Sequence, residues 1–99
     1  MIRGTTPTHT FELPFDSDMV SKARVLYAQN GIIVLTKDNE ECLREGSCIS
    51  VKLTQKDTLK FDCNYPVEVQ IRVLLDNEEA LASTVIKVSV GKCLENEVL

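Results

Sequence analysis

Val67-Glu68-Val69-Gln70-Ile71-Arg72-Val73-Leu74-Leu75-Asp76-Asn77-Glu78-Glu79-Ala80-Leu81-Ala82-Ser83-Thr84-Val85-Ile86-Lys87-Val88-Ser89-Val90 decides the fold. In its first part Val67, Val69, Ile71 and Val73 alternate with Glu68, Gln70 and Arg72. A period of two is the signature of a strand with one face buried. In its last part Ala82, Thr84, Ile86, Val88 and Val90 alternate with Ser83, Val85, Lys87 and Ser89, which predicts a second long strand. Asp76-Asn77-Glu78-Glu79 supplies turn chemistry between the two. Ile71 and Val88 are the strongest predicted inward positions.

Working outward, the same alternation recurs. Thr8–Leu13 places His9, Phe11 and Leu13 on one side, and Pro14 ends it because proline cannot donate to a ladder. Asp16 or Ser17 caps a predicted helical turn. Lys22–Gln29 sets Ala23, Val25 and Tyr27 against Arg24, Leu26 and Ala28. Asn30-Gly31 suits a type I′ turn, whose central residues both need positive φ, and should join that strand to Ile32–Thr36. Lys37-Asp38-Asn39 reads as a polar loop and Glu40–Leu43 as a short segment before the Gly46 turn. Ser47–Leu53 gives another strand, with Ile49, Val51 and Leu53 inward. Thr54-Gln55-Lys56-Asp57 reads as a capping box in which Asp57 replaces the usual glutamate. Phe61 then packs inward.

About seven strand candidates and no long helix predict one all-β domain over residues 1–99, an immunoglobulin-like antiparallel β-sandwich with one or two single-turn helices. Leu53, Asp57, Phe61 and Cys63 have the spacing of the crossover between sheets in antibody-type domains, although the chain has no tryptophan. They support an immunoglobulin-like crossover, not membership of that superfamily.

Ninety-nine residues make one domain, and 43% hydrophobic content excludes a disordered acidic tail. The longest uncharged apolar run, Gly31–Thr36, is too short for a membrane span, and the first residues lack a signal-peptide core. Net charge is −4, with no basic run to release counterions from nucleic acid. Cys42, Cys48, Cys63 and Cys93 are spaced too widely for a zinc knuckle, and His9 is the lone histidine. Reduced cysteine is expected, with Cys42 and Cys48 as the one pair that a hairpin would bring face to face.

Candidate chemistry is thin. Thr8 and Thr10 point away from His9, so no hydroxyl in its segment is set for activation. Asp16, Asp18, Asp57 and Asp62 all stand in turn contexts, where aspartate ordinarily bonds to nearby backbone. Asp38, Glu40 and Glu41, like Asp16 and Asp18, lack the order and glycine of a calcium loop. Only Tyr27 or Tyr65 remains for a sugar platform. No catalytic, cofactor or metal residues emerge. Apolar residues off the main stripe do: Leu26, Ala28, Leu74, Leu75 and Val85 suit second-face core or a docking patch.

The stretches Ile2–Phe11, Val51–Gln55, Ala80–Ser83 and Val88–Val90 together resemble small proteins encoded among virion structural genes of phages and prophages of Firmicutes, especially gut clostridia. Glu68–Val73 into Ala82-Ser83 and Val88 is similar to the N-terminal domain of phage baseplate upper proteins. The resemblance implies a non-enzymatic structural or assembly role in a tail, baseplate or neck. Its expected partners are other virion structural proteins or a second copy, without nucleic acid or membrane. Arg3–Phe11 and Gly91–Leu99 are the segments expected to change state on assembly. The expected location is the virion or the cytoplasm of the producing bacterium. A competing expectation is an intracellular regulator, phage- or host-encoded, that binds a bacterial protein.

Overall fold

The computed structural model describes residues 1–99 and is built almost wholly of antiparallel strands. They are β1 (Thr8–Glu12), β2 (Val20–Gln29), β3 (Ile32–Lys37), β4 (Cys42–Glu45), β5 (Cys48–Lys52), β6 (Val67–Leu75), β7 (Ala80–Ala82) and β8 (Ile86–Val88). One helical turn, α1 (Gln55–Thr58), and two 3-10 turns at Ser17–Met19 and Asn39–Glu41 complete the chain. The smaller sheet runs β1-β5-β4, and the larger runs β3-β2-β6 with β7 and β8 both on the outer side of β6. This is the strand order of an immunoglobulin-like sandwich: B-E-D in one layer and C′-C-F-G in the other. The expected fold class is the observed one.

Alternation produces the core. Val25, Tyr27, Ile49, Val51, Leu53 and Val67 are fully buried, and Phe61 nearly so. Each such side chain gains ~1.5–3 kcal/mol on leaving water. Asn30 (φ 50°) and Gly31 (φ 77°) form the predicted positive-φ turn between β2 and β3. Thr54 caps α1 as expected: its hydroxyl accepts from the Asp57 N–H at 3.1 Å, and its own N–H donates to Asp57 Oδ2 at 2.9 Å. Asp16 caps the first 3-10 turn by accepting from the Asp18 N–H at 2.9 Å.

Four sequence readings need correction. The strand expected over Ala82–Val90 breaks into β7 and β8, because Ser83 bonds inward to β6. Its hydroxyl accepts from the Ile71 N–H at 3.1 Å and its own N–H donates to the Ile71 carbonyl at 2.9 Å. A side chain that satisfies the neighbouring backbone interrupts the ladder. Val88 is consequently half-buried and Ile86 exposed. Lys37 is a buried strand residue, not part of a loop. Leu75, read as off the main stripe, belongs to the core. Cys42 and Cys48 do not face one another, since Cys42 pairs with Val51 and Cys48 with Glu45; all four cysteines are free.

Residues 1–7 do not lie beside β1 as the first strand of a seven-stranded immunoglobulin sandwich would. Ile2 instead makes a parallel bridge to Gly91, and the Arg3 N–H donates to the Gly91 carbonyl at 3.1 Å. Arg3 also reaches Leu59 O at 2.8 Å and Asn96 Oδ1 at 2.7 Å. The two segments expected to change on assembly are thus tied to each other. β1 is left paired on one side only.

Candidate binding groove at the open side

β1 pairs only with β5, while β7 and β8 pair only with β6. The two sheets therefore end on the same side of the sandwich in unpaired edges, and between those edges lies an apolar groove of about 440 Å³. Phe11, Leu13 and Phe15 line it from the β1 side, Leu81 and Ile86 from the other, with Ile71 and Val73 at its floor. The strand period places them there: Leu81 stands opposite Val73 on the inward face of β7, while Ala80 and Ala82 face outward beside Leu74 and Arg72. An unpaired edge presents free N–H and C=O groups, and an apolar lining beside it rewards an incoming side chain.

The opposite side of the sandwich is closed by polar bonds. Asn39 Oδ1 accepts from the Ala23 N–H on β2 at 3.0 Å and from Arg44 Nη2 on β4 at 2.6 Å, so one side chain ties both sheets. Lys37 Nζ lies 2.7 Å from Asp57 Oδ2 and 3.0 Å from Glu41 Oε2. Burial alone would lower the Lys37 pKa, but hydrogen bonds to Asp57 and Glu41 outweigh it and hold the amine above its usual range. Burial alone would raise Asp57; bonds from Lys37 and Thr54 hold its carboxyl below the usual range instead. The Cys42 thiol, 3.4 Å from the Asp38 carbonyl, is pushed up by burial.

His9 Nδ1 sits 2.7 Å from the Tyr27 hydroxyl inside the sandwich. Burial first, then the N-terminal ammonium, lowers the His9 pKa; burial raises that of Tyr27. Both shifts fit a neutral imidazole and a protonated phenol sharing one hydrogen bond. No hydroxyl is thereby set up for attack on a substrate. Asp16 caps the 3-10 turn that contains Asp18, Asp57 is held in its ion pair, and Asp62 accepts from the Asn64 N–H at 2.8 Å. No group of three or more His, Cys, Asp or Glu side chains converges in the fold. Tyr27 is fully buried and offers no sugar platform; Tyr65 is exposed.

Of the apolar residues singled out for docking, Val85 is exposed between β7 and β8, and Leu26, Ala28 and Leu74 are half-buried. Alternation along Thr8–Leu13 puts Phe11 and Leu13 on one side, but it does not disclose the groove that they build with Phe15.

No helix is long and apolar enough to cross a membrane. No family model matches the chain, and no curated protein matches it. Among solved structures it is similar to the immunoglobulin-like domain of mouse leukocyte-associated immunoglobulin-like receptor 1, crystallised as a strand-swapped dimer. The TM-score is 0.53 at 10% identity, over 91% of this chain and 83% of that one. A second crystal structure of the same receptor, its extracellular domain as a strand-swapped dimer, gives 0.52 at the same identity and coverage. At that identity the likeness establishes an immunoglobulin-like fold and carries no ligand with it.

Proposed function

We propose that this chain is a non-enzymatic protein-interaction module of a phage or prophage virion, which receives an extended segment of another structural protein at its open side. The observation that carries the reading is the apolar groove between two unpaired sheet edges. β-addition supplies affinity through main-chain hydrogen bonds and specificity through pockets for alternate side chains. The strand-exchanging receptor domains add a reason to look at the edges, since a related fold there holds a segment from a second chain. The virion setting rests on the resemblance of Ile2–Phe11, Val51–Gln55 and Ala80–Ser83 to small virion-encoded proteins.

Mass spectrometry of purified particles from the producing bacterium tests the setting, and Leu81→Asp tests the groove. The polypeptide should be present in the particle, and a folded Leu81→Asp variant should fail to be incorporated. Particles lacking the polypeptide would turn the reading toward an intracellular regulator. Normal incorporation of the variant would remove the groove from the proposal.

A further inference from the structure

The face beside the groove carries an unusual charge arrangement for a chain of net charge −4. Arg24 on β2 stands directly opposite Arg72 on β6, and Lys22 opposite Leu74. Like charges directly opposite one another are unfavourable without a counter-charge. Asp38 neutralises Arg24 at 2.8 Å, but neither Arg72 nor Lys22 takes part in any of the three ion pairs of the protein. Lys22, Arg24 and Arg72, with Asp38 and Glu40, line a cleft of about 500 Å³ that reaches Ala80 on β7, and the Arg72 end of it has no acid partner. The neighbours of Arg72 and Leu74 across the sheet are Ala82 and Ala80, which fill little space and carry no charge.

A strand added to the free edge of β7 would meet two different environments. Its inward side chains would lie over Leu81 and the apolar groove. Its outward ones would lie beside Ala80 and Ala82, facing the unpaired Arg72. The ideal occupant alternates apolar with acidic residues.

Leu94-Glu95-Asn96-Glu97-Val98-Leu99 comes near it, with Leu94 and Val98 flanking Asn96 on one face and Glu95 and Glu97 beside Leu99 on the other. The segment makes little use of its own fold: Leu94 and Leu99 are fully exposed and Val98 is 53% exposed. Its polar ties are Arg3 Nη1 donating to Asn96 Oδ1 and the Leu99 N–H donating to Gln55 Oε1. We infer that the segment Leu94–Leu99 of one copy adds as a strand to β7 of a second copy, with Leu94 and Val98 over the groove and Glu95 and Glu97 turned toward Arg72 on β6. This deepens the docking reading above and rests on it, naming a second copy as occupant.

The test is light scattering on the full chain, at low and high salt, with three variants. The wild type should self-associate, and more weakly as salt rises. Arg72→Glu and the double variant Glu95→Lys/Glu97→Lys should each weaken association about tenfold or more, as loss of close interfacial charge pairs does. Combining all three substitutions should restore it. A monomeric wild type at the highest attainable concentration overturns the inference, as does association that no variant changes or that the combined variant fails to recover. Leu81→Asp separates the two levels: lost virion incorporation alongside a monomeric wild type would leave the docking groove standing and discard the second copy.

Discussion

The two sides of the sandwich solve the same problem differently. Where the chain crosses from β3 to β4, Asn39 bonds to both sheets and Lys37 is buried between Asp57 and Glu41. Where β1 approaches β7 and β8 there is no ion pair; Met1–Arg3 bonds to Ser89–Gly91 just beyond β8, and beside that tie lies a groove lined by Phe11, Leu13, Phe15, Leu81 and Ile86. The first side is held by directional bonds that define one geometry. The second is tied at one end, where Met1–Arg3 meets Ser89–Gly91, and otherwise rests on the core beneath it, leaving the outer edges of β1 and β7 unpaired. In a small domain stability and recognition can thus be assigned to opposite margins of one core.

Substitutions should separate the margins. Lys37→Met leaves Asp57 buried without its cation, so it should lower unfolding free energy by ~3–5 kcal/mol, read from urea denaturation. A midpoint equal to wild type would show that the polar network is not what closes that side. Leu81→Asp at the open side should cost under ~1 kcal/mol, because Leu81 is already 37% exposed, while removing partner capture. A loss as large as that of Lys37→Met would make Leu81 a core residue and dissolve the contrast.

Acidification gives a smaller effect with a defined sign. Burial holds the folded chain's His9 below the 6.5 of an unperturbed imidazole, so as pH falls through 6.5 the unfolded chain takes up a proton that the folded chain refuses. Stability is therefore full above pH 6.5 and declines below it. Asp57 acts in a separate window: its depressed pKa adds stability above 3.8 that disappears only as pH falls through the lower folded value. Comparing urea midpoints at about pH 7.5 and about pH 5.5, the wild type should lose stability and His9→Asn should lose less. Equal losses would free His9 of the role. Smallest of all, Lys52→Ala on an exposed position of β5 should change stability by under ~0.5 kcal/mol.

Most of the sandwich was legible because burial follows a period of two. Val67–Leu75, the Asn30-Gly31 turn and the Thr54–Asp57 box all carry their geometry in local residue chemistry. Lys37 was not legible, since its partner Asp57 lies far along the chain and a lysine beside aspartate and asparagine reads as loop. Ser83 misled for a similar reason: whether its hydroxyl turns toward solvent or toward Ile71 depends on β6, not on its neighbours in sequence. The groove was hidden because Phe11 and Phe15 look like core until one sees that no strand covers β1.

The most direct measurement places a photo-activated cross-linking residue at Leu81 on β7 or, as control, at Leu43 on β4, which is 70% exposed. Each variant would be irradiated in the producing bacterium and its products identified by mass spectrometry. The account predicts a protein adduct from position 81 and none from position 43. Adducts formed equally at both, or only at 43, would contradict the claim that this sandwich meets its partner at the side its own chain leaves open.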